Sequence, residues 1–516
     1  MAKLCGVIAR KRHVKVLEEM AAAHRLGLDL LEIRLDFLNR EPRLKEILAH
    51  RKCPLIATIR RKKDGGLFSG SEEKRRALLR AAVAEGFDYV DVESDVALTV
   101  PRYGDAKRIV SHHDFSGVPE NLEGLFTDLQ DLDADVVKIA VKATKASDCF
   151  RVLSLLHRAK KPTLAFCLGE YGLATRLLGA KLGAPFAYAA VNVMRIVAPG
   201  MLTVDDMRHL YFYDKIDAAT QVYGVIGDPI SHSLSPLVHN VCFRQLGLNK
   251  LYVPFRVSSE DLPRFLERAT EFPVFGLSVT IPHKEAVAAH GKSDDLIVKA
   301  TGSANTMVRT NSHWRLYNTD GPAAVAALLE VLPIDPESGL KSLADRKVLL
   351  VGAGGAAAGI AASLKEEGAS VSITSRTLDN ARALAGKVGC RALEWEQRYA
   401  GIYDVVVNAT PLGMHPNVNE SAYHQSALRE GMVILDVVYN PENTLLVSEA
   451  KTRGCRVATG VDMFVRQAEA QFALFTDGKS PPGGLMADLV REEFSPARSM
   501  LRQARIRGNG TGSPAT

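Results

Sequence analysis

The chain has 516 residues, of which 47% are hydrophobic, so it is long enough for about two to four domains with ordinary buried cores. The net charge is only +6 and is spread along the sequence, which does not favour a nucleic-acid-binding protein. No apolar run approaches about 18 residues and the first residues enter a predicted strand at once, so we expect neither a membrane span nor a signal or transit peptide.

Short apolar strands alternate with helical patterns through the first part of the chain. Eight strands are predicted, at residues 4–9, 30–35, 54–59, 89–92, 108–111, 136–141, 163–168 and 186–191. This alternation predicts a closed parallel (β/α)8 barrel. Because such barrels carry their chemistry at the carboxyl ends of the strands, polar residues there are the first candidates for a site.

The strand at 30–35 carries polar residues at alternate positions. Alternation places Glu32, Arg34 and Asp36 on one face. Helices cover the outside of a barrel, so we expect this face to line the barrel mouth. A strand with one solvated face would show the same alternation.

A lysine and a histidine stand on two other predicted strands. Lys138 lies among β-branched residues, where desolvation favours the neutral amine, a nucleophile that suits carbonyl substrates through a Schiff base. The alternative is an ammonium that reaches the rim, as expected of Lys142. His113 ends another strand and offers an imidazole near its ordinary pKa for proton transfer, although a lone histidine is more often structural.

Over roughly residues 1–217 the sequence resembles the type I 3-dehydroquinate dehydratases. The matching motifs are Glu32-Ile-Arg-Leu-Asp36, Thr58-Ile-Arg60 followed by Asp64-Gly-Gly66, His113-Asp-Phe115, Lys138-Ile-Ala140 and Ala174-Thr-Arg176. The resemblance implies that Lys138 forms an imine with a ketone carbon, while His113 moves protons so that water is eliminated. It further implies that hydroxyls and a carboxylate of the substrate are bound by Glu32, Arg34, Arg60 and Arg176.

Three positions depart from that family's pattern. Asp64 replaces the usual glutamate and is a shorter carboxylate that we still expect to orient His113. Near the last strand, Val197 and Met201 replace the usual serine and glutamine, so two polar residues that normally contact the substrate are apolar here.

Between about 205 and 222 a helical segment leads directly into a new strand. The linker is short and not rich in glycine or serine, so we expect the two halves to pack together. A loop dense in hydroxyl groups follows at 227–236, and Pro236 is placed to open a helix. A simple capped turn would also explain this loop.

Further polar turns contain Lys284 and Asp320. If folding brings them together, the carboxylate can hold the ammonium while it relays a proton to or from an alcohol. Reduction of a ketone by nicotinamide needs such a relay. Sequence spacing alone does not show the pairing.

The stretch 347–359 is an apolar strand that breaks into a glycine-rich loop and continues as a helix. Gly352 suits the tight turn and Gly354 a close approach of the backbone to a pyrophosphate, which indicates a dinucleotide-binding turn. Such turns also occur where no nucleotide binds. After the next strand stand Ser375, Arg376 and Thr377, and a cation in place of an acidic residue favours the 2′-phosphate of NADP.

Across roughly 222–485 the sequence resembles the shikimate dehydrogenases. The matches are Ser233-Leu-Ser235, the Lys284 stretch, Asn305, Asn318-Thr-Asp-Gly321, the glycine-rich loop, Asn408-Ala-Thr410, Asp436-Val-Val-Tyr-Asn440 and the stretch 460–467. The resemblance implies that Lys284 and Asp320 are the catalytic pair. It implies that substrate is bound by Ser233, Ser235, Thr280, Asn305, Asp320, Tyr439 and Gln467, and NADP by Gly352, Gly354, Gly355, Ala356, Ser375, Arg376 and Thr377. Ser375 replaces a usual asparagine and Asn380 a common basic residue, so NADP preference is expected to depend on Arg376.

The predicted fold is α/β, an N-terminal (β/α)8 barrel followed by a two-domain shikimate dehydrogenase-like unit with a Rossmann-type NADP domain. The predicted parts are a barrel at 1–217, a substrate-binding domain at 222–325, an NADP domain at 340–465, C-terminal helices at 466–507 and a disordered tail at 508–516. The two families catalyse consecutive steps, from 3-dehydroquinate to 3-dehydroshikimate and on to shikimate. We therefore expect a bifunctional enzyme of the shikimate pathway with small-molecule substrates and no metal, nucleic-acid or membrane partner.

Two alternatives stay open at this level. One is a sensor protein that keeps this scaffold to bind quinate-like ligands, although the presence of Lys138, His113, Lys284 and Asp320 and the lack of a DNA-binding segment disfavour it. The other is a quinate/shikimate dehydrogenase that works oxidatively with NAD. Seven cysteines without any CxxC pair predict reduced thiols in a cytoplasmic protein.

Overall fold

The computed structural model describes residues 2–102, 104–231, 233–311, 313–334, 336 and 339–495. By its internal contacts the chain divides into two compact units, Met1–Val222 with Asn249–Pro273, and Tyr223–Leu248 with Val274–Thr516. The predicted disordered tail, and the predicted helix beyond residue 495, lie outside the described residues. No helix within the described residues is long and apolar enough to cross a membrane. The predicted domain boundaries stay predictions.

The first unit is built on eight parallel strands in a nearly closed barrel. The strands are β1 (Leu4–Ile8), β2 (Leu30–Arg34), β3 (Leu55–Thr58), β4 (Tyr89–Glu93), β5 (Lys107–Asp114), β6 (Val136–Lys142), β7 (Thr163–Leu168) and β8 (Ala187–Ala190). Their hydrogen-bonded order is β7-β6-β5-β4-β3-β2-β1-β8, so all eight predicted strands are confirmed. At the two ends of this order, the rings of Phe166 on β7 and Tyr188 on β8 have centroids 6.2 Å apart.

Helices connect most of these strands. They are α1 (His13–Arg25), α2 (Leu44–Ala49), α3 (Glu72–Glu85), α4 (Leu122–Asp131), α5 (Ser147–His157) and α6 (Leu173–Lys181). The strands lie between these helices and the interior, which explains their nearly continuous burial. Register then positions the polar residues, because Glu93 pairs with Ser111 and Ser111 with Lys138 on neighbouring strands.

Two elements from beyond residue 222 complete the first unit. The chain passes through β9 (Gln221–Gly227) and α7 (Ser235–Gln245), which Pro236 opens as predicted, and then forms β10 (Lys250–Arg256) and α8 (Leu262–Glu271). The ring of Phe150 on α5 packs against three aromatic rings of this segment, with centroid distances of 6.1 Å to Phe255, 5.3 Å to Phe265 and 5.5 Å to Phe272. The Asp261 carboxylate accepts hydrogen bonds from the Ser147 N–H (2.8 Å) and hydroxyl (2.5 Å) at the start of α5. Residues 249–273 therefore cover α5.

The second unit contains a mixed sheet followed by a parallel one. The mixed sheet includes β9, β11 (Val274–Val279), β12 (Gly291–Lys292), β13 (Thr306–Arg309) and β14 (Trp314–Tyr317), in the order β9-β11-β13-β14-β12. Helices α9 (Leu296–Thr301) and α10 (Asp320–Val331) accompany it. Asp320 is the first residue of α10, so the fold places its carboxylate at a helix N-terminus.

The parallel sheet has the strand order of a doubly wound nucleotide-binding fold. Its strands are β15 (Lys347–Val351), β16 (Ser370–Thr374), β17 (Arg391–Leu393), β18 (Val405–Asn408), β19 (Val433–Asp436) and β20 (Arg456–Ala458), in the order β17-β16-β15-β18-β19-β20. The helices are α11 (Gly355–Glu366), α12 (Leu378–Val388), α13 (Leu445–Thr452), α14 (Gly460–Phe475) and α15 (Leu485–Glu493). The order reverses between β15 and β18, and ligands of such sheets bind at that point.

Candidate active sites

Lys138 lies at the centre of the polar interior of the barrel. Its side chain extends from β6 and the residue is only 5% exposed, so the predicted burial is confirmed. The ammonium nitrogen Nζ lies 3.1 Å from Asp91 Oδ2, 3.9 Å from Glu32 Oε1 and 3.3 Å from the Tyr188 hydroxyl. A buried lysine is thus surrounded by two carboxylates and a phenol.

The acidic residues of β4 belong to this site and were not predicted. Asp91 also forms an ion pair with Arg60 (2.7 Å), and Glu93 pairs with Arg60 (3.1 Å) and with the fully buried Arg75 (2.5 Å). Charges of alternating sign therefore run from Arg75 on α3 to Lys138 through Glu93, Arg60 and Asp91. The signal was present in the sequence, because Asp91 and Glu93 alternate with valines as Glu32 and Arg34 alternate with apolar residues.

His113 follows Ser111 by two residues on β5. Desolvation and the positive charges of Arg60 and Lys138 lower the pKa of His113 well below its ordinary value, so the expectation of a nearly ordinary pKa is wrong. Its Nδ1 has no hydrogen-bond partner among the described residues. The Asp64 carboxylate accepts from Arg61 Nε at 2.6 Å, and the predicted role of Asp64 in orienting His113 stays a prediction.

Arg176 is a buried cation without an acidic partner in the described part of the chain. Its guanidinium lies 4.8 Å from the centroid of the Phe166 ring, and neither Nε nor Nη2 has a hydrogen-bond partner among the described residues. Burial lowers the pKa of Arg176 to about 10, although the Cys167 thiol acts in the opposite direction. A buried guanidinium of this kind is suited to a carboxylate ligand, which would supply the missing charge and acceptors.

The other predicted barrel residues have partners within the protein. Arg34 forms two hydrogen bonds with Asp36, at 2.9 and 2.8 Å, and Glu32 accepts from the Thr58 hydroxyl at 2.8 Å. Near the last strand, Met201 is buried in an apolar cluster of the barrel and Val197 packs against it. The valine and methionine that replace the family's serine and glutamine therefore add to the apolar core of the barrel.

In the second unit, the fold brings Lys284 and Asp320 together as predicted. Lys284 Nζ donates to Asp320 Oδ2 at 2.5 Å, across 36 residues of sequence. The other oxygen of the same carboxylate accepts from Asn305 Nδ2 at 3.0 Å. Asn305 also donates to the Thr319 hydroxyl, which itself donates to the Gln467 carbonyl at 3.2 Å. The pair is thus held by a hydrogen-bonded group of predicted site residues.

The glycine-rich loop lies directly beside this pair. Gly352 has a φ of +122°, and a Cβ atom there would lie 2.6 Å from the Ala409 carbonyl oxygen, so the loop after β15 packs against the end of β18. A Cβ atom on Gly355 would lie 2.7 Å from Lys284 Cβ. Only glycine allows the start of α11 to approach Lys284 so closely.

The geometry of the loop fits a dinucleotide. Gly354, the N-cap of α11, has open space where a side chain would be, and Ala356 follows in the first turn. The N-terminus of α11 therefore presents free N–H groups to an anionic ligand. Ser375, Arg376 and Thr377 follow the neighbouring strand β16, and the Arg376 side chain is exposed.

Five further residues that were predicted to bind substrate make local contacts within the second unit. Ser233 accepts from the Ser235 N–H at 3.3 Å at the start of α7, and a Cβ atom on Gly227, which opens this loop, would touch the Thr280 methyl group. The Tyr439 ring packs at a tilt of 33° against Phe464, with centroids 4.9 Å apart, and burial raises the pKa of Tyr439. The Gln467 amide donates to the Phe464 carbonyl at 2.9 Å.

Three family models match successive parts of the chain. The model described as type I 3-dehydroquinase matches residues 4–218, the shikimate dehydrogenase substrate binding domain matches 225–307, and shikimate / quinate 5-dehydrogenase matches 336–447. Among solved structures, a shikimate dehydrogenase in complex with NADP+ is 33% identical, with a TM-score of 0.50 over 54% of this chain and 97% of that one.

Two relatives match almost the whole chain. The bifunctional 3-dehydroquinate dehydratase/shikimate dehydrogenase of Arabidopsis thaliana, described as chloroplastic, is 37% identical over 499 residues, which are 93% of this chain and 82% of the relative. The shikimate biosynthesis protein AroDE of Chlamydia pneumoniae is 28% identical over 488 residues, 93% of this chain and 96% of the relative. With both predicted resemblances confirmed in one continuous match, the chain belongs to the bifunctional 3-dehydroquinate dehydratase/shikimate dehydrogenase family.

Proposed function

We propose that the first unit dehydrates 3-dehydroquinate to 3-dehydroshikimate through an imine on Lys138. The observation that carries this proposal is the buried Lys138 nitrogen in the same unit as the buried Arg176 guanidinium, whose Nε and Nη2 have no hydrogen-bond partner among the described residues. A lysine of this kind forms imines with ketones, and the guanidinium suits the single carboxylate of the substrate. Glu32, whose carboxylate lies 3.9 Å from Lys138 Nζ, and Arg34 are candidates to bind the substrate's hydroxyl groups.

In this reaction His113 is the base. Its lowered pKa keeps the imidazole neutral near pH 7, so it can accept the proton from the carbon next to the imine. His113 then gives this proton to the hydroxyl group, which leaves as water as the new C=C bond forms. Arg60 has bonds to Asp91, Glu93 and Ser111, which support a role in holding Asp91 beside Lys138 in addition to substrate binding.

We propose that the second unit reduces 3-dehydroshikimate to shikimate. The observation that carries this step is the contact between Lys284 and Asp320 beside Gly355. NADPH, when bound along the glycine-rich loop, supplies the hydride. Lys284 supplies the proton to the carbonyl oxygen, and Asp320 holds the ammonium in place. Asn305 in turn fixes the Asp320 carboxylate.

NADP is the proposed cofactor because the exposed Arg376 stands at the end of β16, where NAD enzymes carry an acidic residue. The alternative is oxidation of quinate or shikimate with NAD. It is favoured by Ser375 and Asn380, which replace the asparagine and the basic residue usual in the family and leave Arg376 as the single cation of this motif for the 2′-phosphate. Steady-state rates with each cofactor in both directions separate these possibilities.

A coupled assay tests both reactions together. The purified chain is given 3-dehydroquinate and NADPH, and the loss of nicotinamide absorbance is followed. We expect oxidation of NADPH without any added enzyme, and borohydride added during turnover should trap an adduct on Lys138. An adduct on Lys142 instead, or an active dehydratase that gives no adduct, would contradict the assignment.

We also propose a reducing compartment such as the cytoplasm, because all seven cysteines are free thiols. Two of them, Cys149 and Cys167, are close enough to hydrogen-bond to each other. Titration of thiols after denaturation of the native protein should find seven. Five would indicate that this pair is oxidised.

A further inference from the structure

Tyr188 is a part of the barrel site that the proposed function does not use. It stands on the short strand β8, is 5% exposed and is fixed by two neighbouring rings. Phe186 lies edge-on, with centroids 5.4 Å apart, and Phe166 lies at 6.2 Å. These contacts determine where the phenol points.

The phenol points at the reacting nitrogen. The Tyr188 hydroxyl lies 3.3 Å from Lys138 Nζ, and the nitrogen is 4.4 Å from the centroid of the ring. The other close neighbours of Nζ are the carboxylates of Asp91 and Glu32. An ionised carboxylate only accepts hydrogen bonds, whereas a phenol both donates and accepts.

We propose that Tyr188 is a further catalytic residue, whose hydroxyl relays a proton between Lys138 Nζ and the substrate's carbonyl oxygen while the imine forms. The inference rests on the proposed imine chemistry of Lys138. It adds a group that neither the sequence motifs nor the ion pairs of the site identified.

The relay balances in protons and electrons. The Nζ lone pair attacks the ketone carbon, and the electrons of the C=O bond move to oxygen, which gives an alkoxide and a positively charged nitrogen. The Tyr188 hydroxyl gives its proton to the alkoxide and takes one from Nζ, so the phenol ends as it began. The alkoxide oxygen is two bonds from Nζ, within reach of a hydroxyl 3.3 Å from that nitrogen. The product of this exchange is the carbinolamine. In a second exchange the phenol protonates the carbinolamine hydroxyl, the C–O bond breaks and water leaves as the nitrogen lone pair forms the C=N bond, and the phenolate takes the remaining proton from nitrogen. The two exchanges in reverse hydrolyse the product imine.

The surroundings suit Tyr188 to this task better than Asp91. Burial, together with the charges of Glu32 and Asp91, raises the pKa of Tyr188 well above its ordinary value, so the phenol keeps the proton that it must give. The pKa of Asp91 is held far below its ordinary range, so this carboxylate carries no proton to donate.

The test is Tyr188→Phe in the full-length chain, which removes only the hydroxyl. A matched control is Tyr213→Phe, because Tyr213 is also fully buried in the first unit and its hydroxyl has no partner among the described residues. Each protein is mixed rapidly with 3-dehydroquinate and quenched with borohydride at intervals, and mass spectrometry follows the adduct on Lys138. The dehydrogenase rate with supplied 3-dehydroshikimate is measured on the same samples.

We expect Tyr188→Phe to slow the appearance of the adduct by roughly 10²-fold or more, as for loss of a proton-transfer group, with the dehydrogenase rate unchanged. Tyr213→Phe should behave like the parent chain. An adduct rate within about twofold of the parent would overturn the role of Tyr188 and leave the imine intact. An equal loss of both activities would indicate a damaged fold and would also overturn it. Absence of any adduct in the parent, with dehydration intact, would overturn the imine itself.

Discussion

One carboxylate oxygen of Asp91 lies 3.1 Å from the Lys138 nitrogen and 2.7 Å from the Arg60 guanidinium. Burial by itself would raise the pKa of this carboxyl, but Arg60, Lys138 and His113 together hold it well below its ordinary value. Asp91 is therefore ionised at neutral pH. It supplies the fixed negative charge against which the lysine and arginine are positioned.

The variant Asp91→Asn should damage both the dehydratase and the fold of the first unit. The change removes the nearest countercharge of two buried cations, Arg60 and Lys138, which costs about 3–5 kcal/mol, and misplacement of Lys138 should lower dehydratase kcat by roughly 10²-fold. Calorimetry and the dehydratase assay measure the two effects. Asp95→Asn is the control, because that carboxylate is 47% exposed and its ion pairs contribute about 1 kcal/mol or less. Similar losses in both variants would argue against a special role for Asp91.

Arg176→Met should weaken substrate binding and stabilise the protein at the same time. The guanidinium is buried and forms no ion pair with any described residue, and its lowered pKa corresponds to a penalty of about 3 kcal/mol that methionine would remove. Loss of a charge-assisted contact should raise KM for 3-dehydroquinate by about ten- to a hundred-fold. Thermal unfolding and dehydratase kinetics, compared with the exposed Arg158→Met, measure both changes. A less stable variant with unchanged KM would mean that Arg176 is structural.

Asp436 gives the second unit a stability that depends on pH. Burial raises the pKa of Asp436 to about 6, against the hydrogen bonds from Thr444, Val438 and Asn408. The folded state thus binds the proton more tightly than the unfolded chain, whose pKa is about 3.9, so this stabilisation is complete below about pH 4 and is lost as pH rises through 6. From pH 5 to 7.5 the loss should be about 1.4 kcal/mol.

Asp436→Asn should remove this pH dependence. Both tryptophans, Trp314 and Trp395, lie in the second unit, so their fluorescence during urea unfolding reports on it. Between pH 5 and 7.5 the parent should lose about 1.4 kcal/mol of unfolding free energy that the variant does not lose. If the two proteins differ in unfolding free energy by the same amount at every pH in this range, Asp436 does not titrate between pH 5 and 7.5.

Arg376→Ala should change the choice of cofactor. We expect KM for NADPH to rise by about ten- to a hundred-fold, because one charge-assisted contact to the 2′-phosphate is lost, and KM for NADH to stay nearly constant. Arg382→Ala, an exposed arginine of α12 that pairs with Asp379, is the control. Equal losses with both cofactors would place Arg376 away from the phosphate.

The two activities should be separable by mutation. Lys138→Ala should abolish dehydration and leave reduction of supplied 3-dehydroshikimate intact, whereas Lys284→Ala should do the reverse, since each lysine has its partners within its own unit. A mixture of the two variants should convert 3-dehydroquinate to shikimate through released intermediate. If either variant loses both reactions while still folded, the sites are coupled.

Periodicity was enough to predict the strands, and Lys138 was recognisable as a lysine within a β-branched strand. Asp91 and Glu93 were missed although they show the same alternation as Glu32 and Arg34, and the strand register, which aligns Glu93, Ser111 and Lys138, places them in the same interior. The pKa of His113 depends on charges from three other strands, and the contact between Lys284 and Asp320 joins residues 36 apart. Such relationships are set by tertiary structure and leave no local pattern in the sequence.

The cover that residues 249–273 provide for α5 bears on how the protein is made. During synthesis the last barrel strand is complete well before residues 249–273 leave the ribosome. Ser147 and Phe150 can therefore contact Asp261 and Phe265 only late in synthesis. A gene truncated after residue 217 would leave these aromatic contacts unmade, and its product would carry an uncovered apolar helix face prone to association. Loss of the second half of the gene would therefore also destabilise the barrel encoded by the first half, which is a physical reason for the two parts to stay fused.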